Sequence, residues 1–440
     1  MKASLRTAAW WFFALLSTLG WASKVAEANA HDAPQPFASV TEVHQILVSM
    51  QLAQNQSTGQ RHEEERTRLL KSFDRRSGKW TTNHPRHRLL DALHGFLRYR
   101  TRQAGELTRL RNLYKGVSKS QRALLEHHLS YSSNFDKVER KLHRNQALCD
   151  AIVDSALLFY GLDFSDLASH AREREAAGHL AERTAVSQAL KHIVRDWTAE
   201  GEHERNVTFS CMLRSLNQLF PTRQALAPVK ILLPGAGLGR LGHEIHRLGG
   251  FEVTMNEWSM YMNVVYRYLE EHGRMHENTF SPFVDGWSHH AANEDMFREL
   301  HFPDTNVDPK SVLMVEGDFI TAFSAQEGHY DVVLTYFFID TARNLMSYFD
   351  TIKKVLRRGG YWINLGPLLY GTGPFVQLSL EEIIKVTEAM GFEYQETDET
   401  CGPLTFENAT VRSMEAIYGF DKKALTKSSY NAQFWVAKRL

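Results

Sequence analysis

The fold of this 440-residue chain is decided by one stretch, Val229-Lys230-Ile231-Leu232-Leu233-Pro234-Gly235-Ala236-Gly237-Leu238-Gly239-Arg240. An apolar run leads directly into a glycine-rich turn, and Glu257 follows Gly235 by 22 positions. The first glycine permits a tight turn, and Gly237 lets the backbone approach a ligand. An acid at the spacing of Glu257 accepts hydrogen bonds from ribose hydroxyls. The layout predicts a doubly wound sheet that binds a nucleoside, although glycine-rich turns also serve as ordinary loops.

The last position of this turn distinguishes between two cofactors. A dinucleotide-binding G-x-G-x-x-G motif would need glycine at position 240, where this chain has Arg240. The turn is instead G-x-G-x-G, with Gly239 as its third glycine, and this form suits S-adenosylmethionine (SAM) better than NAD. We therefore expect SAM as the cofactor and disfavour an NAD oxidoreductase.

Whole-chain composition indicates a globular protein with room for two domains. Lys plus Arg equals Asp plus Glu at 51 each, so no net field favours nucleic acid. Cys149, Cys211 and Cys401 are odd in number and far apart, which predicts neither a disulfide framework nor a metal pattern. The 21 histidines show no zinc-site spacing, and we interpret them, including His243 and His246, as mostly solvated surface.

Residues 1–30 have the pattern of a secretory signal peptide or an uncleaved signal anchor. Lys2 and Arg6 precede 17 uncharged residues at positions 7–23, and Ala28-Asn29-Ala30 offers a small-x-small cleavage site. The apolar stretch is marginally short for a spanning helix, so membrane anchoring through it stays an alternative. We expect a secretory location; the cytosol is the alternative, because SAM is a cytosolic metabolite. Three sequons are compatible with a lumenal location: Asn55, Asn206 and Asn408.

The rest of the chain divides into three regions. Residues 31–62 are polar and are predicted to be disordered. Residues 63–200 carry apolar side chains at helical spacing, which predicts a helical domain of five or six helices. Residues 201–440 alternate strands and helices, which predicts a parallel sheet with right-handed crossovers. A polar insertion at 274–308 could cover the site.

The sheet domain has clear predicted elements. The seven strands are Lys230–Leu233, Glu252–Asn256, Val312–Glu316, Asp331–Phe337, Tyr361–Leu365, Phe392–Thr397 and Gln433–Ala437. Helices are predicted at Arg240–Leu248, Thr341–Leu356 and Leu380–Met390. Gly359-Gly360 and Gly391 are expected to end two of these helices.

Acids at strand ends are the candidate site residues, because ligands of such sheets gather at the carboxyl ends of the strands. Asp318 can accept from an adenine amino group while Phe319 lies against the ring; an ordinary strand-ending turn is the alternative. Asp340 ends the fourth strand, where an acceptor would meet the methyl donor, but it could instead cap a helix at Thr341. The fork of Arg195 suits a carboxylate, but an Arg-Asp pair on a helix is commonly a surface ion pair.

These residues lie in motifs that stand together in one known family. The motifs are Val194-Arg195-Asp196-Trp197, Leu233-Pro234-Gly235-Ala236-Gly237-Leu238-Gly239-Arg240-Leu241, Asn256-Glu257-Trp258-Ser259, Gly317-Asp318-Phe319, Phe337-Phe338-Ile339-Asp340-Thr341-Ala342 and Trp362-Ile363-Asn364-Leu365-Gly366-Pro367-Leu368-Leu369-Tyr370. Through them the chain resembles the carnosine N-methyltransferase family over roughly residues 140–440. The resemblance implies a class I, Rossmann-like methyltransferase fold, with a seven-stranded sheet after a helical domain.

The resemblance also implies roles for single residues. The implied SAM contacts are Arg195, Gly235, Gly237, Gly239, Glu257, Asp318 and Phe319. Asp340 would bind the acceptor imidazole, and Tyr430 would help to hold the peptide. Three positions depart from the family: His192 stands for a glutamine that contacts SAM, Tyr336 for a cysteine beside SAM, and Gly371 for a histidine that contacts the substrate.

Together these features predict a SAM-dependent N-methyltransferase acting on an imidazole nitrogen of a small histidine-containing peptide such as carnosine. Gly371 keeps open a methyltransferase with a different acceptor. The signal-like amino terminus keeps open a non-catalytic SAM-binding protein of the secretory pathway. No nucleic-acid partner and no metal are expected, and a homodimer stays open.

Overall fold

The computed structural model describes residues 59–371 and 373–440. The predicted signal segment at 1–30, the apolar stretch at 7–23 and most of the stretch predicted to be disordered lie outside the described residues. The prediction of disorder over residues 31–62 was wrong for residues 59–62. These residues are helical, and Arg61 forms an ion pair of 3.0 Å with Glu252. Among the described helices, none combines the length and the apolar character that crossing a bilayer requires.

Seven helices occupy the described residues before position 200, where five or six were expected. They are α1 at 59–72, α2 (Pro85–Leu97), α3 (Tyr99–Tyr114), α4 (Lys119–Leu129), α5 (Ser133–Tyr160), α6 (Phe164–Ala176) and α7 (Thr184–Trp197). The longest, α5, buries Leu142, Cys149, Ile152 and Ala156 along one stripe at helical spacing. It ends at Gly161, whose φ of 62° is left-handed. A further helix, α8 (Glu202–Leu219), leads to the sheet.

The sheet strands lie where the sequence predicted them. They are β1 (Val229–Pro234), β2 (Phe251–Glu257), β5 (Leu313–Glu316), β6 (Tyr330–Tyr336), β7 (Leu356–Gly366), β8 (Phe392–Tyr394), β9 (Arg412–Ile417) and β10 (Ser429–Arg439). The order is β5-β2-β1-β6-β7-β10-β8, and β9 pairs with β10. Seven strands overlap the predicted ones; β9 is the eighth and was missed. The class I methyltransferase fold is thereby confirmed.

The topology explains where a ligand can bind. Strand β1 pairs in parallel with β2 on one side and with β6 on the other. The chain therefore runs outward from β1 through β2 to β5 and then returns to β6 across the centre of the sheet. A crevice opens outside the carboxyl ends of the strands where the order reverses in this way. Only the carboxyl-terminal strand β10 runs antiparallel to β7.

Helix boundaries show two differences from the sequence predictions. Helices α9 (Arg240–Arg247), α10 (Met260–Glu271), α12 (Phe319–Ala322), α13 (Leu345–Val355) and α14 (Leu380–Ala389) connect the strands. Helix α13 begins at Leu345 instead of Thr341, because Ile339–Thr341 forms a separate 3-10 turn. Gly359 and Gly360 lie inside β7 and do not end a helix, whereas Gly391, with φ of 91°, follows α14 as predicted.

The 274–308 insertion is ordered and partly buried. It contains a hairpin of β3 (Asn278–Phe280) and β4 (Leu300–Phe302), with α11 (Asn293–Phe297) between the strands. Phe280 and Phe302 are buried, and Asn145 of α5 exchanges two hydrogen bonds with the backbone of Ser281. The hairpin thus packs on the helical region.

Two side-chain predictions were wrong. Cys211 of α8 and Cys401 form a disulfide, because folding brings their Cα atoms to 5.5 Å although 190 positions separate them. Cys149 is free and buried. His243 is buried instead of solvated: its ring nitrogens lie 3.0 Å from the hydroxyls of Tyr266 and Ser311, which satisfy both of them.

Candidate active site

A cavity of roughly 780 Å³ lies at the carboxyl ends of β1, β2, β5 and β6. This volume is typical of a small-molecule or cofactor site. The lining includes His192, Arg195, Gly235, Gly237, Glu257, Trp258, Met262, Asp318, Phe319, Tyr336, Phe337, Phe338, Thr341, Arg343, Tyr348 and Tyr418. Eight of the predicted cofactor residues therefore meet at one place.

Gly237 and Gly239 of the glycine turn have different roles. Gly235, Gly237 and Gly239 all have positive φ, at 68°, 57° and 78°. A Cβ on Gly239 would lie 2.8 Å from the ring of Tyr266, so this glycine serves packing and does not line the cavity. A Cβ on Gly237 would meet nothing nearer than the Arg195 guanidinium, at 3.6 Å. Gly237 is therefore the position where a ligand can approach the backbone.

Glu257 is held in place by the backbone of the same turn. Its Oε2 accepts from the N–H of Gly237 at 2.9 Å, and its Oε1 accepts from the N–H of Ser259 at 2.7 Å. Burial raises the pKa of Glu257, and these N–H groups oppose the rise. Each carboxylate oxygen keeps a second lone pair for a ribose hydroxyl.

Arg195 belongs to a buried ion pair and not to a surface one. The side chain is 6% exposed, and its Nε and Nη2 donate to the two carboxylate oxygens of Asp196 at 2.7 and 3.1 Å. Burial opposes the charge, but the charge and hydrogen bond of Asp196, together with Tyr418 and Tyr336, outweigh burial and raise the pKa of Arg195. The neighbouring Trp197 donates to the carbonyl of Leu238 at 2.8 Å, which fixes the end of α7 on the glycine turn. The guanidinium is therefore held rigidly beside the cavity.

His192 leaves one buried nitrogen for a ligand. Its Nδ1 has no hydrogen-bond partner among the described residues, and its ring packs against Phe420 with centroids 4.9 Å apart. Burial, followed by the charge of Arg195, lowers the pKa of His192 to about 3. The ring is thus neutral at physiological pH and can either donate or accept one hydrogen bond.

Asp318 has the local turn role weighed from the sequence, and one of its carboxylate oxygens stays open to the cavity. Its Oδ1 accepts from the N–H groups of Ile320 and Thr321 at 2.9 and 3.1 Å and so caps α12. Its Oδ2 has no protein partner among the described residues and remains for a ligand. Phe319 is 3% exposed and packs against Phe338 with ring centroids 5.5 Å apart, which places an aromatic wall beside this carboxylate.

Asp340 sits in the 3-10 turn after β6 and does not cap α13. Its Oδ2 accepts from the N–H of Leu369 at 3.1 Å, which ties this turn to the segment after β7. The residue is 7% exposed, and burial raises its pKa to about 6 against the opposing Leu369 hydrogen bond. Asp340 does not line the cavity, but Phe338 and Thr341 on either side of it do.

The other two predicted substrate residues lie farther out. Gly371 is exposed, and a Cβ built on it would meet nothing within 4 Å. Tyr430 of β10 does not line the cavity, but its ring packs against Phe337 and Tyr418 with centroids 5.9 and 6.1 Å apart, and these two residues do. Tyr430 therefore supports the cavity wall, whereas Gly371 contributes no side chain to it.

Comparison with known proteins identifies the family. The family model described as carnosine N-methyltransferase matches residues 173–440. This chain belongs to the carnosine N-methyltransferase family. Carnosine N-methyltransferase of Schizosaccharomyces pombe is 31% identical over 70% of this chain and 83% of its own length. The Mus musculus protein of that name is 30% identical over 69% of this chain and 77% of its own length. A solved structure, phosphoethanolamine N-methyltransferase 2 of Haemonchus contortus with S-adenosyl-L-methionine, has a TM-score of 0.30 and 14% identity, covering 52% of this chain and 51% of that one.

Two residues at this site, Tyr418 and Arg88, had no sequence signal of their own. Phe337 has a positive φ of 50° and stacks on Tyr418 at 5.0 Å, but Tyr418 follows the unpredicted strand β9. Arg88 of α2 lies over the Trp258 ring with its Cζ 3.6 Å from the ring centroid, and it also donates to the Trp258 carbonyl. The helical region thereby contacts the cavity lining at Trp258.

The 274–308 insertion does not cover this cavity. None of its described residues lines it; Asp285, His289, His290 and Met296 line a neighbouring cavity of roughly 120 Å³ instead. The reason is the hairpin, whose buried phenylalanines turn the insertion toward the helical region.

One cluster outside the cavity has the composition of a metal site. Potential ligand atoms of His87, Asp91 and His170 lie within 4.8 Å of one another. However, Arg174 Nε lies 3.1 Å from the same Asp91 oxygen that His170 contacts at 2.8 Å. Because the guanidinium already balances the carboxylate, we interpret this cluster as an ion-pair network that joins α2 and α6.

Proposed function

We propose that this chain is a SAM-dependent methyltransferase that transfers a methyl group to an imidazole nitrogen of a small histidine-containing peptide such as carnosine. Membership in the carnosine N-methyltransferase family supports the reaction type. The observation that supports an imidazole acceptor is the position of Asp340, a buried carboxylate between Phe338 and Thr341, which both line the cavity. An anionic hydrogen-bond acceptor at this place suits an imidazole N–H.

The residues around the cavity fit the three parts of SAM. Glu257 offers carboxylate oxygens to the ribose hydroxyls, and Asp318 with Phe319 offers an acceptor and an aromatic wall to the adenine. The orphaned Nδ1 of His192 and the guanidinium of Arg195 suit the amino-acid end. When bound, SAM supplies an electrophilic methyl group on a sulfonium centre.

The protein's contribution to the reaction is alignment and charge placement. Neutral imidazole, with an ordinary pKa near 6.5, attacks with the lone pair of one nitrogen. Asp340 accepts a hydrogen bond from the other nitrogen, fixes the tautomer and stabilises the positive charge that develops on the ring. The methylated ring leaves Asp340 with its N–H intact and releases that proton to solvent. Asp340 thus acts as an electrostatic orienter and need not be a general base.

A methyltransferase with a different acceptor is the second candidate, and Gly371 favours it. Glycine cannot replace the histidine side chain that the resemblance leads us to expect there, and its surroundings are open. If recognition of one end of carnosine is lost, carnosine turnover will be weak while SAM binding stays normal. Gly371→His should then raise carnosine turnover.

Purified protein incubated with SAM and a panel of imidazole compounds tests both candidates. The panel holds carnosine, free histidine, histidine peptides and a matched dipeptide without imidazole, with products read by mass spectrometry. One added methyl group on an imidazole compound, and none on the matched dipeptide, is the expected result. SAM binding without methylation of any imidazole compound would contradict the proposal.

A further inference from the structure

The disulfide between Cys211 and Cys401 joins two parts of the chain that each lead to a residue of the cavity wall. Cys211 is on α8, next to Thr208, whose hydroxyl lies 3.1 Å from the hydroxyl of Tyr336 in the cavity wall. Cys401 ends the 3-10 turn Glu399–Cys401, which is followed by β9 and then by Tyr418. Both cysteines are buried, so the cross-link is an internal part of the fold.

The segment after Cys401 also presents a sequon to solvent. Asn408 stands seven positions after Cys401 in Asn408-Ala409-Thr410. It is exposed at the tip of a loop that a hydrogen bond of 2.9 Å closes, from the N–H of Thr405 to the carbonyl of Val411. Exposed loops accommodate bulky, solvated glycans without disturbing a core.

The sequon at Asn206 is less open. Asn206 is exposed on α8, but it lines a groove together with the charged residues Arg205 and Asp304. The third residue does not separate the two sequons, because Thr208 is fully buried and the hydroxyl of Thr410 is buried as well. A glycan at Asn408 would therefore meet fewer neighbours than one at Asn206.

We propose that this chain matures in an oxidising secretory compartment, where the Cys211–Cys401 disulfide forms and Asn408 receives an N-linked glycan. Disulfides persist in oxidising compartments and are rare where glutathione and thioredoxin keep thiols reduced. The signal-like pattern of residues 1–30 points to the same compartment and is independent of the cysteines. The inference concerns maturation and does not depend on the methyl acceptor.

The secretory compartment supplies the oxidant that the disulfide requires and the sugar donor that the glycan requires. The two thiols lose two protons and two electrons to a protein disulfide oxidant as the S–S bond forms. The Asn408 amide nitrogen forms a bond to the first sugar of a lipid-pyrophosphate-linked oligosaccharide, loses one proton, and releases the lipid pyrophosphate.

The test compares the full chain with a variant lacking residues 1–30, both expressed in the same eukaryotic cells. Free thiols are trapped with a maleimide under denaturing conditions, so the readout does not require either protein to be folded. In the full chain we expect labelling at Cys149 alone, and in the shortened chain at all three cysteines. Labelling of Cys211 and Cys401 in the full chain would overturn the proposal that the chain matures in an oxidising compartment. Labelling of Cys149 alone in both proteins would overturn it as well.

The glycan is read on the same samples. Peptide N-glycosidase converts a glycosylated Asn to Asp, which mass spectrometry locates on the peptide. We expect conversion at Asn408 in the full chain and none in the shortened chain. Asn408→Gln should abolish this signal, whereas the matched Asn206→Gln should leave it intact. An unconverted Asn408 beside an intact disulfide would refute the glycan site alone.

Discussion

The buried negative charge of Asp340 lowers the stability of the fold, although the proposed reaction requires it. The folded state raises its pKa from 3.8 to about 6 through burial, so ionising it destabilises the fold. Asp340→Asn keeps an acceptor for the Leu369 N–H but removes the charge. We expect this variant to be more stable than the wild type at pH 7–8 by on the order of 2–3 kcal/mol. The gain should shrink as pH falls from about 6 to about 4 and vanish at lower pH, where the unfolded chain is protonated as well.

Denaturant unfolding across pH measures this difference. Asp163→Asn, at an exposed aspartate with no side-chain cap bond, is the matched control and should leave stability unchanged. A stability gain for Asp340→Asn that does not depend on pH would contradict burial of the charge as its cause.

Glu257 provides the second test at the residue scale. Glu257→Ala should weaken SAM binding by about 1–3 kcal/mol, since ribose hydroxyls would lose their acceptor. Calorimetry with SAM measures it. Glu252→Ala is the control, because Glu252 is on the same strand and pairs with Arg61 away from the cavity. Equal weakening of SAM binding by both variants would show that the effect comes from a disturbed strand β2 and not from the loss of the Glu257 carboxylate.

At the scale of elements, the strands could be predicted and some of their partners could not. Strand β1 is a nearly continuous apolar run that leads into Gly235, β2 ends in the acid Glu257, and β6 has an apolar centre at 332–334, so local patterns were sufficient for these three strands. Strand β9 alternates weakly and is defined by pairing with β10, a contact made only after folding. The start of α13 was missed because Asp340 bonds to the distant Leu369 and leaves the helix without that cap.

The disulfide is the clearest feature that spacing could not reveal. Its removal should destabilise the fold by about 2–4 kcal/mol, because it closes a loop between positions 190 apart. Unfolding of the wild type and of the Cys211→Ser/Cys401→Ser variant, each with and without reductant, tests this. Reductant should bring the wild type to the stability of the variant and leave the variant unchanged. A wild type insensitive to reductant after full reduction would contradict the prediction.

At the scale of the whole molecule, the helical region packs beside the cavity at the carboxyl ends of the strands. The described residues belong to one compact unit, and Arg88 of α2 lies over Trp258, directly after Glu257. The sheet-borne residues of the cavity were found from the sequence because strand ends converge by topology. Arg88 and Tyr418 were not, since their positions depend on packing between distant segments.

This arrangement predicts that a helical residue tunes cofactor affinity. Arg88→Ala should weaken SAM binding by about 0.5–2 kcal/mol, because Trp258 loses its cation–π partner and the loop after Glu257 loses a hydrogen bond. Arg86→Ala is the control on the same helix, since Arg86 pairs with Asp166. Calorimetry in which Arg86→Ala weakens SAM binding as much as Arg88→Ala would count against a specific role.

The central claim is that a buried Asp340 holds the acceptor imidazole beside the SAM cavity. The most direct measurement is kcat for methyl transfer to the best imidazole acceptor by wild type, Asp340→Asn and Asp340→Ala, with the Kd for SAM measured on the same proteins. We predict that both variants bind SAM normally and that Asp340→Ala loses about 100-fold or more in kcat. Asp340→Asn should retain part of the activity if orientation alone contributes. Full turnover by Asp340→Ala with normal SAM binding would contradict the account.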